Sequence, residues 1–180
     1  MAGEWETAQL SDLTTKITKG TTPTKEDGGF VQEGINFIKA ECVTMNGSID
    51  VTKFTFVTEE VHNKYSRSHL QEGDVLFSMA GVILGKTAIV QSHHLPANTN
   101  QALALIRPKQ NTIATPYLHY FLQNPSVFHY VNNSTSQSAQ PNINLKEIGD
   151  LEILLPPLPE QKAIAHVLGS LDDKIELNRR

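Results

Sequence analysis

This sequence predicts a mixed α/β (α+β) domain with several short strands, followed by one protruding C-terminal helix of coiled-coil type. Three observations predict it. Short apolar runs of strand length recur along the chain, such as Ile35–Ile38, Val75–Met79 and Ala102–Ile106, with glycine- or proline-containing turns around them. Two later segments, Thr115-Pro116 and Asn124-Pro125, place a cap residue before a proline, which is how helices open. Near the end, Ile164, Leu168, Leu171 and Ile175 recur at spacings of four, three and four, the seam of a helix that buries one narrow stripe against a partner helix. The chain divides accordingly into a domain over residues 1–155 and a proline brace with the start of a dimerisation helix over 156–180.

Taken in order, Trp5 to Thr18 reads as an entry strand or short helix, and Lys19 to Gly29 as a loop rich in threonine, proline and glycine. Ile35–Ile38 and Asp50–Val57 read as strands, with Asn46-Gly47 as a tight turn between them. Thr58 can cap a short helix through Tyr65, with Glu59 and Glu60 in its first turn. Val75–Met79 and Thr87–Val90 suggest a hairpin or two adjacent strands, and Ala102–Ile106 a strand ended by Pro108. The helices opening at Thr115 and Asn124 carry Tyr117, Tyr120, Phe121, Phe128 and Tyr130, an aromatic cluster that reads as core rather than as a base-stacking platform. Asn132–Pro141 is a polar loop. Leu151–Leu155 is a strand stopped by Pro156, Pro157 and Pro159. Pro159 can then be the first helical residue, with Glu160 at the positive end of the helix dipole. Lys162, Asp172, Asp173, Lys174, Glu176 and Arg180 fall on the face opposite the seam. Pro159 to Arg180 would span roughly 33 Å as a helix, at ~1.5 Å per residue. No glycine cap closes it, so it reads as cut off or continued by something absent from this chain.

Composition sets the outer bounds. At 180 residues, 39% hydrophobic and 19% charged, the chain suits one soluble domain with an appendage. Its apolar runs are too short to span a bilayer, its N-terminus lacks a signal-peptide pattern, and Cys42 stands alone, all of which fit the cytoplasm. A net charge of −4 argues against a strong stand-alone nucleic-acid binder, because non-specific DNA affinity comes largely from lysine and arginine at phosphates. The acidity lies mainly at the N-terminal end: residues 1–50 hold four basic and eight acidic side chains, against three and two in residues 101–150.

The run Leu154-Leu-Pro-Pro-Leu-Pro-Glu-Gln-Lys-Ala-Ile-Ala165, followed by Leu171-Asp-Asp-Lys-Ile-Glu-Leu-Asn178, closely resembles the spacer region of the specificity subunits of Type I restriction–modification systems. Weaker resemblance to a target-recognition domain of that family runs through Trp5 and Leu10, Gly20-Thr-Thr-Pro23, Gly34-Ile-Asn-Phe-Ile38 and Leu70-Gln-Glu-Gly-Asp-Val-Leu-Phe-Ser78. It continues through Gly85-Lys-Thr-Ala88, Asn100-Gln-Ala102, the helix near Phe121 and the polar stretch Ser134-Thr-Ser-Gln-Ser-Ala-Gln-Pro-Asn-Ile143. The resemblance implies a non-catalytic domain that reads double-stranded DNA and directs methyltransferase (modification) subunits and a restriction subunit. It implies no cofactor in this chain; S-adenosylmethionine, ATP and magnesium would belong to the partner subunits. A complete specificity subunit would carry two such domains and two spacers. One of each here implies a half-subunit or a shortened one, whose helix pairs with a second spacer helix from another copy or from the missing half.

Ala80-Gly-Val-Ile-Leu-Gly-Lys-Thr87 nearly fits a phosphate-binding loop, which makes a small nucleotide-binding enzyme using Gly85-Lys86-Thr87 one alternative. That motif must lead into a helix, whereas Thr87-Ala-Ile-Val90 favours a strand. Asn124-Pro125-Ser126-Val127 resembles the tetrapeptide of adenine methyltransferases but lacks the aromatic that stacks on a flipped base. The seven histidines show no metal-binding spacing, His93-His94 reads as solvated loop, and Asp172-Asp173 reads as a solvated helix face. What remains is polar loop chemistry suited to base edges and phosphates. The candidates are Thr21, Thr22 and Lys25 in one loop; Lys39 after a strand; Lys86 in a strand connection; Asn100 and Gln101 in a loop that also holds Asn98 and Thr99; and Ser134, Ser136, Gln137 and Gln140 in the last. Asn100 and Gln101 have a second reading, as residues that tie a loop down. A protein-interaction module with no DNA role is the other alternative, which the acidic balance permits.

Overall fold

Short β-rich runs fold into three small sheets, and the later helices close over them. In the computed structural model, which describes residues 5–81, 83–133 and 142–178, the strands are β1 (Glu6–Gln9), β2 (Thr14–Lys19), β3 (Ile35–Ile38), β4 (Thr55–Val57), β5 (Val75–Ser78), β6 (Thr87–Ile89), β7 (Ala97–Thr99), β8 (Leu103–Pro108) and β9 (Glu152–Leu155). The central sheet has the order β2-β8-β5-β6 and is antiparallel throughout. A second sheet, β4-β3-β7, joins β3 to β4 antiparallel and to β7 parallel. The third is the pair β1-β9, which brings the earliest and latest strands together, Glu6 opposite Leu155.

Burial explains why these runs are strands. Every residue of β5 is buried, and Leu103 to Ile106 of β8 are fully so. Side chains alternate between faces, so Phe77, Ala104 and Ile106 join a core shared with Leu118, Leu122 and Ile153, while Leu76, Leu103 and Leu105 join a second core with Ile38 and Val90. Fully burying one such large side chain contributes ~1.5–3 kcal/mol.

Five helices follow the expected order with some shifts: α1 (Glu59–Lys64), α2 (Thr115–Leu122), α3 (Pro125–Asn133), α4 (Leu145–Gly149) and α5 (Leu158–Leu177). Thr58 caps α1 by accepting from the Val61 amide, and Asn124 accepts from Ser126 N at the start of α3. Ala114, not Thr115, occupies the cap position of α2, and no side chain caps it. Its amide is bonded by Gln161 instead. Asp50–Val57 is not one strand: Asp50 caps a single 3-10 turn, Val51–Lys53, and only Thr55–Val57 pairs. The aromatic cluster packs largely inward, with Tyr130 left exposed. His94 is buried rather than solvated, its Nδ1 accepting from Gln91 N at 2.9 Å. Two elements went unforeseen. One is β7; the other is α4, whose Asn144 and Glu147 form a reciprocal capping box.

α5 begins at Leu158, one residue before the expected proline, and its two halves differ. Near its root, buried Gln161 accepts from Ala114 N at 2.8 Å and donates to Pro156 O at 2.8 Å and Thr112 O at 3.1 Å. Ala165 is buried beside it. Trp5 Nε1 donates to Glu160 Oε2 at 3.3 Å, and Tyr120 donates its hydroxyl to Asp172 Oδ2 at 2.9 Å, so Asp172 is not simply solvated. Burial, with Asp172 alongside, raises the Tyr120 hydroxyl pKa to about 12. Alongside these contacts, apolar side chains of the helix stay exposed. Of the expected seam, Ile164 is half-buried, while Leu168, Leu171 and Ile175 are 36%, 50% and 49% exposed, with Val167 beside them at 59%. No described helix is long and apolar enough to cross a membrane.

Candidate nucleic-acid interface

One end of the central sheet gathers the polar loops. β2 ends there opposite the start of β8, where Lys19 meets Ala104; β8 starts opposite the end of β5, where Leu103 meets Ser78. β6 begins at the same end, Thr87 opposite Phe77. The second sheet delivers β3 and β7 in parallel, Ile38 beside Thr99. Thr21, Thr22, Lys39, Lys86, Asn100 and Gln101 therefore leave the sheets on one side. Ser134, Ser136, Gln137 and Gln140 lie outside the described residues; Asn142, which follows them, bridges to Ala80 at this end.

Gly20 makes the convergence possible. Its amide donates to Asn100 O at 3.1 Å and the next amide, of Thr21, to Thr99 O at 3.1 Å. A Cβ on Gly20 would lie 1.8 Å from the Thr99 carbonyl oxygen, so only glycine lets β2 run into this loop. Past it, Gln101 Oε1 accepts both the Thr22 amide, at 3.1 Å, and the Thr22 hydroxyl. Gln101 thus ties the loop down while remaining exposed itself. Asn100 holds the same crossing through its carbonyl, and its side-chain oxygen is buried with no hydrogen-bond partner among the described residues. Lys25 is exposed farther along the loop.

The two other lysines are engaged within the chain. Lys39 Nζ sits 2.8 Å from Glu41 Oε1 and 5.7 Å from the Phe30 ring centre. Lys86 Nζ donates to Ala40 O and Val43 O, both at 2.7 Å, and burial lowers its pKa. The Lys86 ammonium thus straps the β5–β6 connection to the turn after β3. Since β6 begins at Thr87 itself, the helix that a phosphate-binding loop requires is absent there. Asn98 and Thr99 are corrected, from loop to strand β7. Thr99 Oγ1 donates to Ile38 O at 2.8 Å, and Asn98 Nδ2 donates to Ser68 Oγ at 2.9 Å and Tyr65 O at 3.2 Å.

Sequence reasoning missed the flank of this face. Arg67, in a 3-10 turn at Ser66–Ser68, donates from Nη2 to Thr21 Oγ1 at 3.3 Å. Lys16 Nζ donates to Arg67 O at 2.8 Å. Lys16 lies directly across from Arg107 on β8, a like-charge cross-strand pair. Burial, then Arg107, lower the Lys16 pKa. Arg107 grips buried Asp74 with two bonds, at 2.7 and 2.8 Å. Nothing in the stretch Tyr65-Ser-Arg-Ser68 marks it as part of a site; only the fold does.

A mixed sheet core, a polar loop cluster at one sheet end and a helix with a bare apolar stripe define a ligand-reading domain with a built-in arm. The chain belongs to the Type I restriction modification DNA specificity domain family, whose profile matches residues 2–180. It is 30% identical over 178 residues to a putative type I restriction enzyme MjaX specificity subunit of Methanocaldococcus jannaschii, covering 96% of this chain and 40% of that protein. It is 27% identical over 146 residues to the EcoBI specificity subunit of Escherichia coli, covering 81% of this chain and 30% of that one. The chain thus spans well under half the length of these curated relatives. Among solved structures, a chain from a study of type I R-M complex assembly superposes with a TM-score of 0.73 at 22% identity, covering all of this chain and 41% of its own. The HsdS subunit of Thermoanaerobacter tengcongensis gives 0.72 at 18% identity, over 98% of this chain and 44% of its own. Both share the fold.

Proposed function

We propose that this chain reads one half-site of a bipartite duplex DNA target as part of a Type I specificity subunit. Its loops at the end of the central sheet would meet base edges and phosphates. Methyl transfer and ATP-driven cleavage would lie with modification and restriction subunits, which would carry S-adenosylmethionine, ATP and magnesium; the chain itself would be non-catalytic and act in the cytoplasm. The observation that carries this reading is the convergence of Thr21, Thr22, Asn100 and Gln101 at one sheet end, in a chain of this family. Hydroxyls and amides suit base edges and phosphate oxygens, and loops braced on a sheet are positioned without large ordering cost. The bare stripe Leu168, Leu171 and Ile175 would pair with a second spacer helix and so set the distance between half-sites. Selection of duplexes from a randomised pool at low salt tests the DNA assignment. Enrichment of one short motif is expected. No enrichment, with the chain alone or with a methyltransferase subunit added, would overturn it.

A further inference from the structure

A short turn beside the loop cluster carries a cation with unusual support. Arg67 is exposed, but its backbone is held from several directions. Lys16 bonds its carbonyl at 2.8 Å. Asn98, buried in β7, bonds the residues on either side: the Tyr65 carbonyl at 3.2 Å and the Ser68 hydroxyl at 2.9 Å. Ser68 is itself buried, with its amide on Tyr65 O at 2.9 Å. The turn is therefore fixed to the sheet that also delivers Thr99 and Asn100, and the guanidinium reaches from it to Thr21 Oγ1.

Of the two described arginines, Arg107 has a carboxylate partner and Arg67 has none. Lys39, Lys53, Lys64 and Lys146 also have a carboxylate oxygen within 3.2 Å, while Lys19 and Lys25, like Arg67, have none among the described residues. Among the described residues Arg67 has no ion-pair partner, and neither does Lys16 beside it. The buried carboxylate near them, Asp74, is occupied by Arg107. An acidic chain of net charge −4 thus keeps an unneutralised guanidinium at the flank of its polar loop cluster. A guanidinium fork matches the oxygens of a phosphate, and a rigid support lowers the cost of fixing it there.

We propose that Arg67 binds a backbone phosphate of duplex DNA and so positions the Thr21–Thr22 loop and Gln101 against the bases. This rests on the DNA-reading function proposed above. Such a contact adds affinity and register without reading sequence. The test uses the full chain, with the duplex enriched by selection and a shuffled duplex of equal length, and measures binding by fluorescence anisotropy over a salt series. For Arg67→Gln we expect affinity to fall by about tenfold on both duplexes, the salt slope to drop by about 1, and reselection to return the same motif. Arg67→Lys, which retains the charge, should recover the slope and only part of the affinity. Unchanged affinity and slope in Arg67→Gln would overturn the proposal while leaving the DNA function standing, as would a changed motif, which would make Arg67 a base reader. A wild-type chain that binds neither duplex would overturn both.

Discussion

The loop end of the central sheet and the outer half of α5 are built on opposite terms. At the sheet end several polar groups find partners inside the chain: Thr22 on Gln101, Lys86 on two carbonyls, Asn98 on Tyr65 and Ser68. On α5 the groups that lack partners are apolar. Leu168, Leu171, Ile175 and Leu177 lie exposed on a helix whose root is anchored by Gln161. The first region is a finished surface, shaped before any ligand arrives. The second is an unpartnered apolar stripe, and on the proposed function another helix would bury it. On the proposed function, one chain would thus separate a preorganised recognition face from an arm for assembly.

Four changes probe that separation. The largest effect belongs to the anchor of the arm. Gln161→Ala leaves the Ala114 amide and the Thr112 and Pro156 carbonyls without their partner, and should destabilise the chain by about 3 kcal/mol in denaturant unfolding. A loss below about 0.5 kcal/mol would mean the arm's root is not a structural joint. Gly20→Ala strikes the other region, where the added Cβ meets the Thr99 carbonyl. A loss of about 2 kcal/mol is expected, read as a lowered melting temperature, with the crossing to Asn100 opened.

The third concerns pH. His119 on α2 is buried, with Nδ1 unpartnered among the described residues, and burial lowers its pKa from 6.5 to about 4. The unfolded chain takes up a proton below pH 6.5 that the native chain refuses, so this group destabilises the fold as pH falls from about 6.5 toward 4. The cost should reach about 2 kcal/mol at pH 5. His119→Gln should flatten the stability profile in that window; an unaltered slope would place the titration elsewhere. The smallest effect on stability belongs to the arm itself. Leu171→Glu should change unfolding by less than about 0.5 kcal/mol and yet abolish association by sedimentation velocity. Unchanged association would remove Leu171 from the seam.

These regions were unequally legible in the sequence. β3, β5 and β8 announced themselves because their side chains are mostly apolar and largely buried, and β9 because its short apolar run ends in prolines. β7 did not, because Asn98 and Thr99 are polar and become buried only through partners on distant segments. α4 carried its signal openly in Asn144 and Glu147, but five residues are too few for periodicity to support it. The candidate loops were legible as polar but not in their roles. Gln101 does tie a loop down, one of its two expected readings, whereas Lys86 is drawn into the fold by carbonyls over 40 positions away. Arg67 left no local trace, since its place depends on Lys16 and Asn98, which come from two different sheets. The apolar stripe of α5 was legible because periodicity along one helix needs no tertiary context.

Amide hydrogen exchange of the chain, with and without a duplex carrying its selected motif, tests the central division directly. We expect slowed exchange at Thr21–Lys25, Ser66–Ser68 and Asn100–Gln101, with exchange unchanged along Leu171–Leu177. Protection along that outer stretch of α5, with none at the sheet end, would contradict it.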